Sequence, residues 1–401
     1  MALLTPAEAD QVIGTHMRPL ASETLPLVQC AGARLQEDIH AERDQPPFDR
    51  VAMDGIALTS RAVREGLRSF HVQGCQGAGD SPAILADKAH CIEIMTGAML
   101  AQGCDAVVPV ERVTRQGDVA VLDEAIAVEP WQNVHRRGSD AREGGLLLAA
   151  GTILCAPEIA IAASAGRSRL RVAAQPSIIV VSTGNELIEP GEPILPHQVR
   201  RSNAYGLVAQ LRLRGFSRVS DDHVVDDTEA LRCALRLHLQ THDVVVLSGG
   251  VSAGRFDLVP QVLGELGVQR HFHKIAQHPG KPLWFGTTPA GVAVFGLPGN
   301  PVSSLVCLAR YVVPALRAAA GGVPRPPDAV VLAAPVRVKS PMAWFLPVRL
   351  ARDGQGVLSA EPRPTNGSGD FTSLVGTDGF VELPPGPKEC GRGFVAPFHP
   401  W

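Results

Sequence analysis

The sequence is poor in aromatics and has no excess of either charge. Of 401 residues, 4 % are Phe, Trp or Tyr, and 37 Lys and Arg against 40 Asp and Glu leave a formal net charge of −3. A basic stripe interleaved with stacking aromatics, the footprint of a nucleic-acid binder, is therefore missing. Nor is there a global pull toward anionic membrane surfaces, so any anion site has to be local. No uninterrupted apolar run approaches membrane-spanning length. The N-terminus has no basic stretch followed by an apolar core, which argues against a signal peptide. Eight cysteines, at 30, 75, 91, 104, 155, 233, 307 and 390, form no C-x-x-C pair and no metal-like spacing. Scattered in this way, they read as small buried hydrophobes in a reducing compartment. No glycine loop is followed by G-K-[ST], and G-x-G-x-x-G is missing, so neither a Walker loop nor a dinucleotide fingerprint exists. The expectation is a soluble cytoplasmic protein with no nucleic-acid or membrane partner.

What the chain does have is length for two to four domains, 45 % hydrophobic residues, 40 Gly and 33 Pro. Thr5-Pro-Ala-Glu8 is a capping box with Pro at the first helical position, and predicts a helix to about Arg18. Residues 68–147 alternate short apolar runs with Gly, Asp and Pro ("CDAVVPVERV", "GDVAVLDEAI"), the pattern of a small β-rich domain. "PEIAIAASAG" reads as a short helix closed by Gly166. From about residue 177 the character changes. "SIIVVSTGNEL", "DVVVLSGG" and "GVAVFGLPGN" read as strands. "SNAYGLVAQLRLRG" with Ser202 as its cap, "DDTEALRCALRLHL", "FDLVPQVLGELG" and "PVSSLVCLARYVVPAL" read as helices. Nearly continuous apolar strands alternating with helices predict a doubly wound, mostly parallel sheet covered on both faces. The breaker cluster "GGVPRPPD" precedes strand-like pieces expected to form a small C-terminal β-barrel. The division that follows is an extended segment (1–45 and 148–176), a small β-rich domain (46–147), an α/β domain (177–325) and a C-terminal β domain (326–401).

Ligands of open α/β sheets sit beyond the carboxyl ends of the strands. Three such ends are legible: Ser182-Thr183-Gly184-Asn185-Glu186; Ser248-Gly249-Gly250-Val-Ser252-Ala-Gly254 with Asp257 shortly after; and Gly296-Leu-Pro298-Gly299-Asn300-Pro301, which opens onto a helix. Ser, Thr and Gly there supply hydroxyls and free N–H groups to phosphate-like oxygens, and the helix directs its positive end the same way. One glycine-rich strand end is usually only a tight turn; three in one domain point to a ligand. "HKIAQHPGKPLWFG" adds Lys274, His278 and Lys281, and Glu186, Asp226 and Asp257 stand opposite. Carboxylates beside a phosphate site repel it unless a cation mediates, and magnesium, with its oxygen ligands, suits that role.

The motifs "PPFDRVAMDGIA", "IMTGAMLAQGCDAVVPVE", "RRGSDAREGG", "STGNEL", "DDTEAL", "LSGGVSAGRFD", "PGKP" and "GLPGNPVS" occur in the order found in the molybdopterin molybdenumtransferase family. This is the bacterial MoeA type, similar to the E domain of gephyrin, and the match runs from about Thr5 to the 390s. The resemblance implies four domains of the kind outlined above. It implies insertion of molybdate into adenylylated molybdopterin with release of AMP, with magnesium as the cofactor. It also implies an elongated homodimer, and a transient contact with the adenylyltransferase upstream. Asp54 and Thr96 match positions that line the cleft from the partner subunit. The implied catalytic set is Asp54, Thr96, Glu186, Asp226, Asp257, Lys274 and Lys281, with magnesium on Glu186, Asp226 and Asp257. Pterin contacts fall to Ser182, Thr183, Gly184, Ser202, Asn203, Ser248, Gly249, Gly250, Ser252, Gly254, His278, Pro298, Gly299, Asn300 and Pro301. Asp140 also matches. Arg50, Val51, Ile56, His135, Asn185 and His278 depart from the common pattern. Two other readings remain: an adenylyltransferase that activates molybdopterin with ATP, and a non-catalytic molybdopterin-binding scaffold.

Overall fold

The computed structural model describes residues 3–251, 258–323, 326–352, 354–386 and 388–401. Leu25–Ala31 and Glu37–Leu170 make one compact unit, and the other described residues make a second. The second unit opens with helix α1 (Pro6–His16). Thr5 caps it as the sequence predicts, its hydroxyl accepting from Glu8 N while Glu8 returns a bond to Thr5 N.

The first unit is built on a six-stranded mixed sheet. Its strands are β1 (Gly55–Leu58), β2 (Ser69–Gln76), β3 (His90–Ile94), β4 (Ala106–Pro109), β5 (Val113–Gln116) and β6 (Val119–Leu122), in the order β4-β1-β3-β2-β6-β5. Period-2 alternation gives the sheet two dry faces. Ile56, Leu58, Phe70, Val108 and Leu122 pack on one, and Ala57, Ile92, Ile94 and Val107 on the other. Two short helices, α2 (Ser60–Arg64) and α3 (Ala156–Ser164), belong to the same unit. Gly166 follows α3 at a φ of 75°, the left-handed stop its sequence predicts.

The second unit holds the wound sheet: β7 (Ile178–Thr183), α4 (Ser202–Leu213), β8 (Val219–Val224), α5 (Thr228–Thr241), β9 (Val244–Ser248), α6 (Val259–Glu265), β10 (Gln269–His273), β11 (Trp284–Thr287) and β12 (Ala293–Leu297). The strand order is β8-β7-β9-β12-β11-β10. β8, β7, β9 and β12 are mutually parallel, whereas β11 runs antiparallel to both its neighbours. Successive side chains go to opposite faces. Ile178, Val180, Val244, Val246 and Phe295 meet α1, α4 and the 301–319 helix, while Ile179, Val181, Val245, Leu247 and Val294 meet α5 and α6. Each such side chain, fully buried, contributes about 1.5–3 kcal/mol. β8, β10 and β11 are the strands the sequence reading missed. β8 ("VSDDHV") is an edge strand with two of its six residues exposed and two half-buried, so it lacks the apolar run that marks its neighbours.

Ser202 is the first residue of α4 rather than its cap. Arg201 occupies the cap position, and no side chain caps the helix. The 301–319 helix is not uniform either. α7 (Pro301–Cys307) passes through a π turn (Leu308–Val312) into α8 (Val313–Ala319). By length and composition this stretch could cross a membrane, with a mean hydropathy of 1.4, but 72 % of it is buried as a cover of the sheet. Beyond it, β13 (Asp328–Leu332), β14 (Ala343–Arg352), β15 (Leu358–Pro362), β16 (Gly379–Leu383) and β17 (Val395–Pro400) close as a barrel in the order β14-β15-β13-β17-β16, with β16 returning to β14. All eight cysteines are free thiols. Five are buried as expected, but Cys75, Cys155 and Cys233 are exposed.

Arg310, in the π turn, ties three parts of this unit together. Its guanidinium donates two bonds of 2.9 Å to the Asp10 carboxylate of α1 and one of 2.9 Å to Glu382 of β16. Burial pushes the Glu382 carboxyl upward, but His399 and Arg310 outweigh it and hold the group below its usual range. Replacing Arg310 strands two carboxylates, one of them half-buried. Arg310→Met is expected to cost about 3 kcal/mol in urea denaturation at pH 7. The gap from wild type should narrow as pH falls toward 4, because protonation neutralises the stranded groups.

Candidate functional site

The parallel register aligns the strand ends. Ser182 of β7 pairs with Ser248 of β9, and Ser248 with Leu297 of β12, so all three loops leave the sheet at one level. β8 ends beside β7, Thr183 against Val224, which brings Asp226 to the same edge. There the Asp226 N–H donates to Asn185 Oδ1 at 3.0 Å, and His223 Nε2 donates to the Gly184 carbonyl at 2.9 Å. The Glu186 carboxylate folds back over Gly184: a Cβ on Gly184 would lie 2.5 Å from Glu186 Oε2.

The loops are also close to one another. Gly249 has a φ of 99°, and a Cβ there would meet the Thr183 carbonyl oxygen at 2.9 Å and its hydroxyl at 3.2 Å. Only glycine accommodates both the backbone angle and the approach. The Asn203 amide, at the start of α4, donates to Ser248 Oγ at 3.0 Å and to the Gly299 carbonyl at 2.7 Å, tying the second loop to the third. Behind it, Arg201 is buried and ion-paired with Glu189 at 2.8 Å and with Asp221. Asn300 donates to Ser368 Oγ at 2.7 Å, and the Val302 N–H donates to the Ser368 carbonyl. The positive end of the 301–319 helix is thus partly occupied by the barrel's 366–370 loop. Sequence reasoning missed Ser368; the turn-rich "NGSGD" was the only signal.

Ser182 and Thr183 are buried, and among the described residues their hydroxyls have no hydrogen-bond partner. An unsatisfied buried hydroxyl costs about 1–3 kcal/mol, so a pair of them at a strand end marks a place for a polar ligand.

The antiparallel strand β11 places the basic residues. β10 runs parallel to β12 across it, and the turn from His273 to Trp284 therefore emerges at the same carboxyl edge. Lys274 and Lys281 lie on this turn, and neither side chain has an ion pair or hydrogen bond among the described residues. Lys274 holds a φ of 80°, a left-handed strain of the sort concentrated at functional sites. His273 Nε2 donates to the Val251 carbonyl at 2.8 Å, fastening the turn to the loop after β9. His278 is exposed, lies opposite Trp344 of the barrel in register, and lines a small cavity with Val302 and Ser368.

Ser252, Gly254 and Asp257 lie outside the described residues. Among the described residues, no three His, Cys, Asp or Glu side chains gather as a metal site. Glu186 and Asp226 are hard oxygen donors at one edge and fit magnesium in kind.

Asp54 and Thr96 belong to the other unit and touch each other. Asp54 Oδ1 accepts from Thr96 Oγ1 at 2.6 Å and Thr96 N at 2.7 Å, and these bonds hold its carboxyl below the usual range. Nearby, two of the departures are cross-strand partners. His135 lies opposite Arg50, with Arg50 Nη2 donating to His135 Nδ1 at 3.4 Å and His135 Nε2 donating to Asp140 at 2.8 Å. The geometry of both sites yields a stability prediction. Gly249→Ala should lose about 1–3 kcal/mol in chemical denaturation through strain and the clash with Thr183, whereas Gly354→Ala, in open space, should lose far less.

The model of the MoeA N-terminal region (domain I and II) matches residues 4–166, that of a probable molybdopterin binding domain 179–318, and that of the MoeA C-terminal region (domain IV) 329–401. A molybdopterin molybdenumtransferase of Synechocystis sp. is 38 % identical over 406 residues, covering 100 % of both chains. Molybdopterin molybdenumtransferase 2 of Mycobacterium tuberculosis is 31 % identical over 96 % of each. The crystal structure of a molybdopterin biosynthesis MoeA protein from Pyrococcus horikoshii superposes with a TM-score of 0.82 at 31 % identity, covering 100 % of this chain and 99 % of that one. With matched regions in this order along nearly its whole length, the chain belongs to the molybdopterin molybdenumtransferase (MoeA) family.

Proposed function

We propose that this protein inserts molybdate into adenylylated molybdopterin and releases AMP. One observation carries the reading. Three parallel strand ends held level, one of them ending in two buried unpartnered hydroxyls, share an edge with a turn bearing two lysines. The similarity to molybdopterin molybdenumtransferases supports it.

In this reading the pterin phosphoanhydride lies across the strand ends. Ser182 and Thr183 give it hydroxyl donors, and Lys274 and Lys281 supply positive charge. Glu186, Asp226 and Asp257 would hold magnesium, which supplies charge neutralisation at the phosphate. Molybdate enters beside the anhydride; one of its oxygens attacks the adenylyl phosphorus, the P–O bond to the pterin phosphate breaks and that phosphate leaves, and AMP departs from the resulting adenylyl-molybdate as molybdenum passes to the pterin, so no protein nucleophile is required. The work of the chain is then positioning and charge stabilisation. Asn203 and the Gly249 turn fix the spacing of the loops, and the lysines meet the anion. Asp54 and Thr96 would line the cleft of a homodimer from the partner subunit. The protein would act in the cytoplasm, in transient contact with the adenylyltransferase that makes its substrate. The same reading keeps the four-part division 1–45 with 148–176, 46–147, 177–325 and 326–401.

The test is release of AMP from adenylylated molybdopterin by the purified protein when molybdate is added. Failure to release it sinks the reading. Consumption of ATP would instead assign an adenylyltransferase, and tight pterin binding without molybdate-dependent release would assign a scaffold. Two variants check the site. Lys274→Asn keeps a residue that tolerates the left-handed backbone, so its thermal midpoint should stay near wild type. Its AMP release should fall on the order of 10²–10³-fold, the usual effect of removing one electrostatic contact to the reacting group. Asp257→Ala should lose most of the activity, and near-normal turnover would remove that residue from the mechanism.

A further inference from the structure

The turn that carries Lys274 and Lys281 rests on a buried polar chain that the reading above does not use. Gln277, wholly buried, lies at its centre. The Gln277 amide donates to the Pro279 carbonyl at 3.2 Å and, more weakly, to Cys307 Sγ at 3.6 Å. Its carbonyl oxygen accepts from the hydroxyl of Tyr311, which is 1 % exposed. Cys307 in turn donates to the Gly280 carbonyl at 3.6 Å. The fit is tight: a Cβ on Gly280 (φ 91°) would come within 2.6 Å of both Cys307 Sγ and Gln277 Nε2.

The sheet side of the turn is held by backbone bonds, Lys274 N to the Leu283 carbonyl and Ile275 N to the Lys281 carbonyl, both 2.9 Å. These set its width. Its height over the carboxyl edge is set by two supports: backbone bonds of Ala276, which donates to the Leu4 carbonyl at 2.7 Å and accepts from Ala343 N at 3.1 Å, and the Gln277–Tyr311–Cys307 chain against residues 277–280. Tyr311 comes from the π turn. A π turn holds one residue more than an α turn, and such turns recur at functional sites. Here consecutive residues serve two separate tasks: Arg310 reaches Asp10 and Glu382, and Tyr311 reaches Gln277.

We propose that Gln277 and Tyr311 are positioning residues, which set the placement of Lys274 and Lys281 and thereby the charge these bring to the reacting anhydride. This rests on the molybdate-dependent reading above. Both residues are out of reach of solvent and touch no substrate. They act through the backbone carbonyls and peptide units of residues 277–280.

Tyr311→Phe removes one hydroxyl and little volume. Its kcat for AMP release should fall about tenfold with the KM for molybdate nearly unchanged, because the lysines act on the reacting anhydride and are moved rather than removed. Cys307→Ala should lower kcat the same way but less. Val330→Ala, in the barrel core away from the chain, is the control: it lowers the thermal midpoint and leaves kcat alone. Folded Tyr311→Phe and Cys307→Ala proteins with wild-type kcat would overturn the proposal. If wild type shows no molybdate-dependent AMP release, the functional reading has failed instead, and amide hydrogen exchange decides the positioning role. Tyr311→Phe should then lose protection in residues 274–283 before the sheet does, and unchanged protection there would overturn it.

Discussion

The structure of the second unit depends on the register of its parallel strands. Ser182, Ser248 and Leu297 stand side by side because the apolar runs before them, "IIVV", "VVVL" and "AVF", must stay level to fill both faces of the sheet. A slip by one residue would turn each buried valine to the opposite face. The loops that follow have no such freedom, since they begin where packing ends. Core packing therefore places the hydroxyls, the glycine turn and the acidic residues together, although none of them contributes to that core.

Packing of that kind is also what made the sheet legible. Continuous buried strands and helices with plain stops, such as α5 capped by Asp227, can be read from composition and period alone. The strands missed were β8, β10 and β11: β8 and β10 mix charge and histidine because they are the two edge strands, whereas β11 ("WFGT") is a short buried piece directly after a turn rich in Pro and Gly. Ser202 misled because a Ser before an apolar helix usually caps it, but here buried Arg201 takes that position and pairs with Glu189 and Asp221. Nothing local in the sequence announces a π turn; it follows from what Arg310 and Tyr311 touch in three dimensions.

The candidate site divides along the same line. Its glycines, serines and lysines were visible as residues, since each falls after an apolar run or within a turn-rich stretch. Their mutual arrangement was not. That Asn203 bridges Ser248 to Gly299 joins positions 45 and 96 residues apart. That Ser368 meets Asn300 requires the barrel to be in place. Long-range bonds between polar side chains leave no periodic trace.

The barrel covers more than that one loop. Val302, Val306 and Ala309, on the outer side of the 301–319 helix, pack against Phe345 and Phe380. A wound domain excised at the linker would therefore carry an oily stripe into water, directly below the loop that Ser368 steadies. A wound sheet of this kind standing by itself would need a more polar helix there. In this chain the hydrophobic stripe makes the barrel obligatory, and ties the folding of the C-terminal region to the integrity of the anion edge.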